Sequence, residues 1–98
     1  MSDVANSREE YLAKLEALHE FPGPFTFKLF GPNAAEFAAA ALAVVAKHLP
    51  EATPEVSSRL SGKAQHQCLT LVLEVDSAVR VADLYADFHQ LDGLKMLM

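Results

Sequence analysis

The sequence predicts an α+β sandwich, in which a four-stranded antiparallel sheet carries two helices on one face and an extra helix precedes it. Three observations predict this. The stretch Pro22-Gly23-Pro24-Phe25-Thr26-Phe27-Lys28-Leu29-Phe30-Gly31-Pro32 alternates Phe25, Phe27 and Leu29 with Thr26, Lys28 and Phe30 between two sets of helix breakers, the pattern of a strand with one buried face. From His66 to Val75 the alternation is cleaner still, Leu69, Leu71, Leu73 and Val75 against Cys68, Thr70, Val72 and Glu74. Between and after these strands lie two segments with helical spacing, one starting near Phe37 and the other near Val81.

Ninety-eight residues, 51% hydrophobic and 21% charged, suit one globular domain with a modest core. A net charge of −5 and a pI near 5.2 argue against a nucleic-acid or anionic-membrane partner, because both require basic surface. Cys68 is the single cysteine, so no intramolecular disulfide forms and a reducing compartment is expected. Asp3, Glu9 and Glu10 rule the N-terminus out as a signal peptide, and the apolar run Phe37 to Ala46 is too short to span a bilayer. These bounds predict a cytoplasmic domain.

In chain order, Met1 to Asn6 carries no pattern. Ser7-Arg8-Glu9-Glu10 fits a capping box for a helix with Tyr11, Leu15 and Leu18 on one stripe, ending near Glu20 ahead of Pro22 and Pro24. Gly31-Pro32 turns the chain out of the first strand, and Asn33 with Glu36 repeats the cap logic for an alanine-rich helix. That helix presents Phe37, Ala41, Val44 and His48, and Pro50 ends it. Val56, Ser58 and Leu60 alternate with Glu55, Ser57 and Arg59 as an edge strand, followed by a turn at Ser61-Gly62-Lys63-Ala64. Asp76 or Ser77 caps the next helix, with Val81, Leu84, Tyr85 and Phe88 facing inward. Asp92-Gly93 leads into a last strand, Leu94 to Met98, with Leu94, Met96 and Met98 expected toward the core.

An order of helix, then β-α-β-β-α-β, has one natural solution given right-handed crossovers and a short hairpin between the second and third strands. It is the ferredoxin-like sandwich, strand order 4-1-3-2. Residues 1–20 are expected as a helical extension and residues 21–98 as the domain itself.

Phe21-Pro22 followed by Pro24-Phe25-Thr26-Phe27-Lys28 through Gly31 resembles the opening motif of the small bacterial YbeD-like family, a domain of unknown function. Leu94-Lys95-Met96-Leu97 is similar to that family's terminal strand, and Tyr85 to its second-helix tyrosine. Where the family tends to have Ser-Ser-Lys-Gly-Asn-Tyr, this chain has Ser61-Gly62-Lys63-Ala64-Gln65-His66, matching at Ser61 and Lys63 only. The resemblance covers roughly residues 10 to 98. It implies a fold similar to ACT-type regulatory domains, which hold small effectors, often amino acids, at the first strand–helix turn and between paired domains. It also implies a link, by genomic context, to lipoate metabolism.

No catalytic constellation emerges from the residues. His66 and Cys68 share a strand face, but tips two residues apart stand roughly 6–7 Å from each other, too far for a Cys–His pair. Neither C-x-x-C nor H-x-x-x-H occurs, so no metal or cofactor is expected. His19, His48 and His89 read as residues of helix ends, and Asp83 with Asp87 as acidic neighbours on a solvated face. The uncovered face of the sheet is expected to show Thr26, Lys28, Phe30, Arg59, Thr70, Val72, Glu74, Lys95 and Leu97. With Phe30 its only aromatic, it lacks the stacking platform of an RNA reader. Lys28 and Lys95 are expected on adjacent strands, facing an anion together. Gly31, Pro32 and Asn33 lead into a helix N-terminus, which favours a carboxylate or phosphate.

The reading is therefore a non-enzymatic regulatory module that binds a small-molecule effector or a protein partner through Gly31, Pro32, Asn33, Lys28 and Lys95. Its expected partners include neither nucleic acid nor membrane, and a homodimer mate or the N-terminal helix would cover the open face. The alternative is a protein-interaction adaptor without a small ligand. On the first reading, Gly31→Val should weaken binding and leave folding intact.

Overall fold

The computed structural model describes the backbone of residues 3–61 and 63–98, and side chains from Arg8 onward apart from Gly62. The elements are α1 (Asp3–Leu18), β1 (Gly23–Pro32), α2 (Ala35–His48), β2 (Glu55–Ser61), β3 (His66–Val75), α3 (Ala78–Phe88) and β4 (Met96–Leu97). The strands form one sheet in the order β2-β3-β1-β4, the expected 4-1-3-2 seen from the other edge. Every neighbouring pair is antiparallel.

The sheet is built around the β1–β3 ladder, which runs unbroken from Gly23↔Val75 to Pro32↔His66. Its inward residues meet the helices in a core where Phe27, Leu29, Leu71, Ala41, Val81, Leu84 and Phe88 have no solvent exposure. Aromatic rings make the centre: Phe27 stacks 5.0 Å from Phe25, 5.0 Å from Tyr85 and 5.3 Å from Phe88, ring centre to ring centre. The tilted and edge-on arrangements here are the favoured ones. On α2 the buried residues are Phe37, Ala41 and Val45, with Val44 half-buried beside them.

α1 lies in the helix layer, not over the open sheet face. Leu15 is buried in the common core, Leu12 packs beside it, and Arg8 pairs with Asp83 of α3 at 3.2 Å. Four residues on, Asp87 receives Lys47 Nζ at 3.1 Å and lies 2.7 Å from His48 Nε2, both on α2. Those two partners hold the Asp87 carboxyl below its ordinary range. The acidic pair of α3 thus ties the two neighbouring helices to it, where the sequence suggested only solvated carboxylates.

Helix starts and strand ends depart from the sequence reading in four places. α1 begins at Asp3, so Ser7 sits inside the helix and cannot cap it; Met1 and Ser2 lie outside the described residues. α2 begins at Ala35, so the N-cap position falls on Ala34, which has no side-chain acceptor, and Asn33 lies one residue too early to cap it. Ser77, by contrast, does cap α3, accepting from the Arg80 N–H at 3.2 Å. Gly31 and Pro32 are still β1, opposite Gln67 and His66. The last strand has the opposite phase: Leu97 pairs with Leu29 and packs on the core, while Met96 and Met98 are 55% and 53% exposed. Alternation could not decide that phase, since Leu94, Met96, Leu97 and Met98 are all apolar; the register with β1 decides it.

In the β2–β3 hairpin, Lys63 and Ala64 have φ of 59° and 66°, the left-handed region that disfavours side chains. Gly62, part of the expected turn, lies outside the described residues. Ala64→Gly is expected to stabilise the domain by about 0.5–1 kcal/mol, relief of the left-handed residue exceeding the added freedom of the unfolded chain. A urea denaturation midpoint that stays put or falls would show Ala64 to be unstrained.

Candidate functional site

The β1–α2 turn is held by a set of polar contacts. The Asn33 side-chain amide donates to the Ala64 carbonyl at 2.8 Å, and the Asn33 backbone N–H donates to the Gln65 carbonyl at 3.0 Å. Gln67, the buried polar residue of the core, donates to the Pro32 carbonyl at 3.0 Å and to the Ala34 carbonyl at 3.4 Å. The turn is therefore strapped to the β2–β3 hairpin on one side. On the other it meets the α3–β4 turn, where Gly93, at φ +83°, packs so tightly that a Cβ would come 2.9 Å from Pro32 Cδ.

Between these two turns lies a cleft of about 550 Å³, lined by Pro32, Ala34, Glu36, Phe37, Ala40, Gln90, Leu91 and Asp92. This is the size range of small-ligand sites. Phe37, Leu91 and Ala40 give it an apolar wall, and Glu36 and Asp92 give it two carboxylates. Among the described residues neither carboxylate has an ion-pair partner. A second cleft of similar size, at the other end of the helices, is lined by His48 to Thr53 with Glu74 and Arg80. There the Arg80 guanidinium is occupied by Asp76 at 3.4 Å and His48 by Asp87 at 2.7 Å, which leaves fewer groups free for a ligand.

Of the residues singled out in the sequence, Pro32 lines the turn cleft. Gly31 is buried behind it and faces the Phe37 ring, where a Cβ would come 2.4 Å from Cζ. Asn33 is a strap. Lys28 stands on the open face, paired through its backbone with Met98. Lys95 precedes β4 in the phase of Leu97, its N–H donating to the Phe30 carbonyl at 2.7 Å, so the register does not bring the two ammonium groups to one face. The open face carries Thr26, Lys28 and Phe30 of β1, Cys68, Thr70 and Val72 of β3, and Met96 and Met98. Residues that the sequence reading missed are Gln67, Glu36, Leu91 and Asp92. Gln67 had a visible signal, a polar side chain on the inward phase of β3. For the others, nothing in the sequence says that two distant turns meet.

Element order and sheet topology together define a small ferredoxin-like α+β domain. Residues 16–98 match the family described as "Protein of unknown function (DUF493)", and the chain belongs to that family. A UPF0250 protein of Shewanella woodyi is 34% identical over 86 residues, covering 87% of this chain and 96% of its own. The UPF0250 protein YbeD of Escherichia coli O1:K1 is 30% identical, covering 87% and 97%. Among solved structures, the crystal structure of the ACT domain from GTP pyrophosphokinase of Chlorobium tepidum superposes with a TM-score of 0.59 at 12% identity, covering 76% of this chain and 94% of that one. The C-terminal domain of the MgtC protein from Mycobacterium tuberculosis gives 0.59 at 12%, covering 82% and 87%. At these identities the likeness is one of fold. No helix among the described residues is long and apolar enough to cross a membrane.

Proposed function

We propose that the domain is a non-enzymatic regulatory module that holds a small, amine-bearing metabolite in the cleft between the β1–α2 and α3–β4 turns. The observation that carries this reading is the pair of carboxylates, Glu36 and Asp92, on the rim of an apolar-walled cleft of about 550 Å³. Opposite charge at the rim favours a cationic group, and the apolar wall takes a short aliphatic or aromatic body. The first strand–helix turn is also where an ACT-type fold is expected to bind effectors. Regulation then means that an occupied cleft presents a different surface at the corner where the two turns already pack on each other through Pro32 and Gly93. An effector with a carboxylate alone, lipoate included, meets like charge at this rim.

The test is a thermal-shift screen against amino acids, polyamines, nucleotides and lipoate. A ligand at a hundredfold excess over its dissociation constant stabilises the native state by about 2.7 kcal/mol, a rise of roughly 10 °C or more for a domain of this size. The shift is expected from an amine-bearing class and is expected to vanish in the Glu36→Gln/Asp92→Asn variant, whose own melting point stays near the parent's. No shift across the panel would reject the metabolite reading in favour of an adaptor without a small ligand.

A further inference from the structure

A separate cleft of about 590 Å³ opens on the helix layer, between α1, α3 and the edge strand β4. On α1 it is lined by Arg8 and Tyr11, spaced to share one side of the helix. Ala82, Tyr85, Ala86 and His89 line it from α3, and Leu97 of β4 completes the lining. None of these residues lines the turn cleft. The site exists only because α1, which a four-stranded sandwich does not require, docks beside α3. Leu15 in the core and the Arg8–Asp83 pair hold it there.

The lining is chemically one-sided. In a chain of 13 acidic and 8 basic residues, this cleft gathers a guanidinium, an imidazole and two phenols, and no carboxylate among the described residues lines it. Among the described residues neither phenol hydroxyl has a hydrogen-bond partner. Burial raises the Tyr11 phenol above its ordinary range, and burial followed by the neighbouring Tyr11 raises that of Tyr85. Both hydroxyls therefore keep their protons at neutral pH and are free to donate. The Tyr85 ring is fixed edge-on against Phe25 and Phe27, at 6.3 and 5.0 Å, so the core positions one of the two. Arg8 gives one nitrogen to Asp83 at 3.2 Å, and a guanidinium carries five N–H groups, so most of its donors remain. Asp83 also limits the charge that fits: a partly compensated guanidinium suits one negative charge better than two.

We propose that the cleft between α1 and α3 is a second ligand site, for a small carboxylic acid with a short apolar body. The Arg8 guanidinium holds its carboxylate, which also accepts from the Tyr11 and Tyr85 hydroxyls. The apolar body lies along Ala82, Ala86 and Leu97. This ligand is opposite in charge to the one assigned to the turn cleft, where Glu36 and Asp92 stand. On this assignment α1 is more than a brace. It carries Arg8 and Tyr11, and with them the charge that recognises the ligand.

The chain has two tyrosines and no tryptophan, and both tyrosines line this cleft, so its intrinsic fluorescence reports on the site alone. Hexanoate titrated into the full chain is expected to change that emission along a saturating curve. Hexylamine, of the same apolar length, and inorganic phosphate, which has no apolar body, are expected to leave it unchanged. Arg8→Gln is expected to weaken hexanoate binding about tenfold or more. Its melting point stays near the parent's, since the Arg8 side chain is half exposed. Tyr11→Phe keeps the ring and is expected to weaken binding about threefold or more, with Tyr85 as the remaining reporter. Emission that hexanoate leaves unchanged, an equal response to hexylamine or phosphate, or binding untouched by Arg8→Gln would each overturn the site. The Glu36→Gln/Asp92→Asn variant is expected to bind hexanoate as the parent does; loss of binding there would place the carboxylate in the turn cleft and overturn this assignment.

Discussion

Gly31→Val is expected to cost the domain about 3 kcal/mol or more, lowering the melting midpoint by roughly 12–24 °C. Gly31 is not a turn residue with freedom to spare. It is the ninth residue of a ten-residue strand, buried, and a Cβ there would lie 2.4, 2.5 and 2.8 Å from three carbons of the Phe37 ring. Those are far inside van der Waals contact. Phe37 cannot retreat freely, since it is itself only 4% exposed and packed in the core. The sequence reading expected this substitution to spare the fold, and the geometry reverses that expectation. The check is a double-mutant cycle: Phe37→Leu should partly relieve Gly31→Ala, with a coupling of about 1–2 kcal/mol. If Gly31→Val melts with the parent, Phe37 has room to move and the glycine is not required by packing.

Phe27→Ala is expected to cost about 3–5 kcal/mol, a large share of the roughly 5–15 kcal/mol that stabilises a typical domain. Phe27 is fully buried and touches rings from three directions, Phe25 along its own strand and Tyr85 and Phe88 from α3. Those neighbours are held by the β1–β3 ladder and by the α3 backbone, so they cannot close the hole that alanine would leave. Urea denaturation measures the loss directly. A loss below about 1 kcal/mol would mean that the core collapses around the cavity.

The fold was legible because its two central strands advertise themselves. β1 and β3 alternate over ten residues each, and an alternation that long fixes both the strand and its buried face. β2 was legible as an edge from its polar, charged outer phase. The short elements were not. β4 is two residues long and lies in a run of apolar side chains with no contrast to read, so only its register with Leu29 and Phe30 sets which way Leu97 and Met96 point. Asn33 looked like a cap because its local sequence fits one. Local sequence cannot show that α2 starts one residue later, at Ala35, or that the Asn33 side-chain amide donates instead to the Ala64 carbonyl 31 residues further on. The cleft was half legible for the same reason: Pro32 and the start of α2 are adjacent in sequence, whereas Leu91 and Asp92 arrive from the far end of α3.

The strap at Asn33 has a further consequence for how the β1–α2 turn responds to its surroundings. Its backbone and side chain are both anchored to the β2–β3 hairpin, and the carbonyls on either side of it are held by Gln67, which is only 6% exposed. Releasing the turn therefore means breaking into the last rungs of the sheet's longest ladder, where Gly31 and Pro32 face Gln67 and His66. A segment fastened in this way is pre-organised. It has little conformational freedom left to surrender when another molecule settles against it, so contacts made there are not offset by the cost of ordering a loop. Whatever docks on this corner of the protein meets a finished surface.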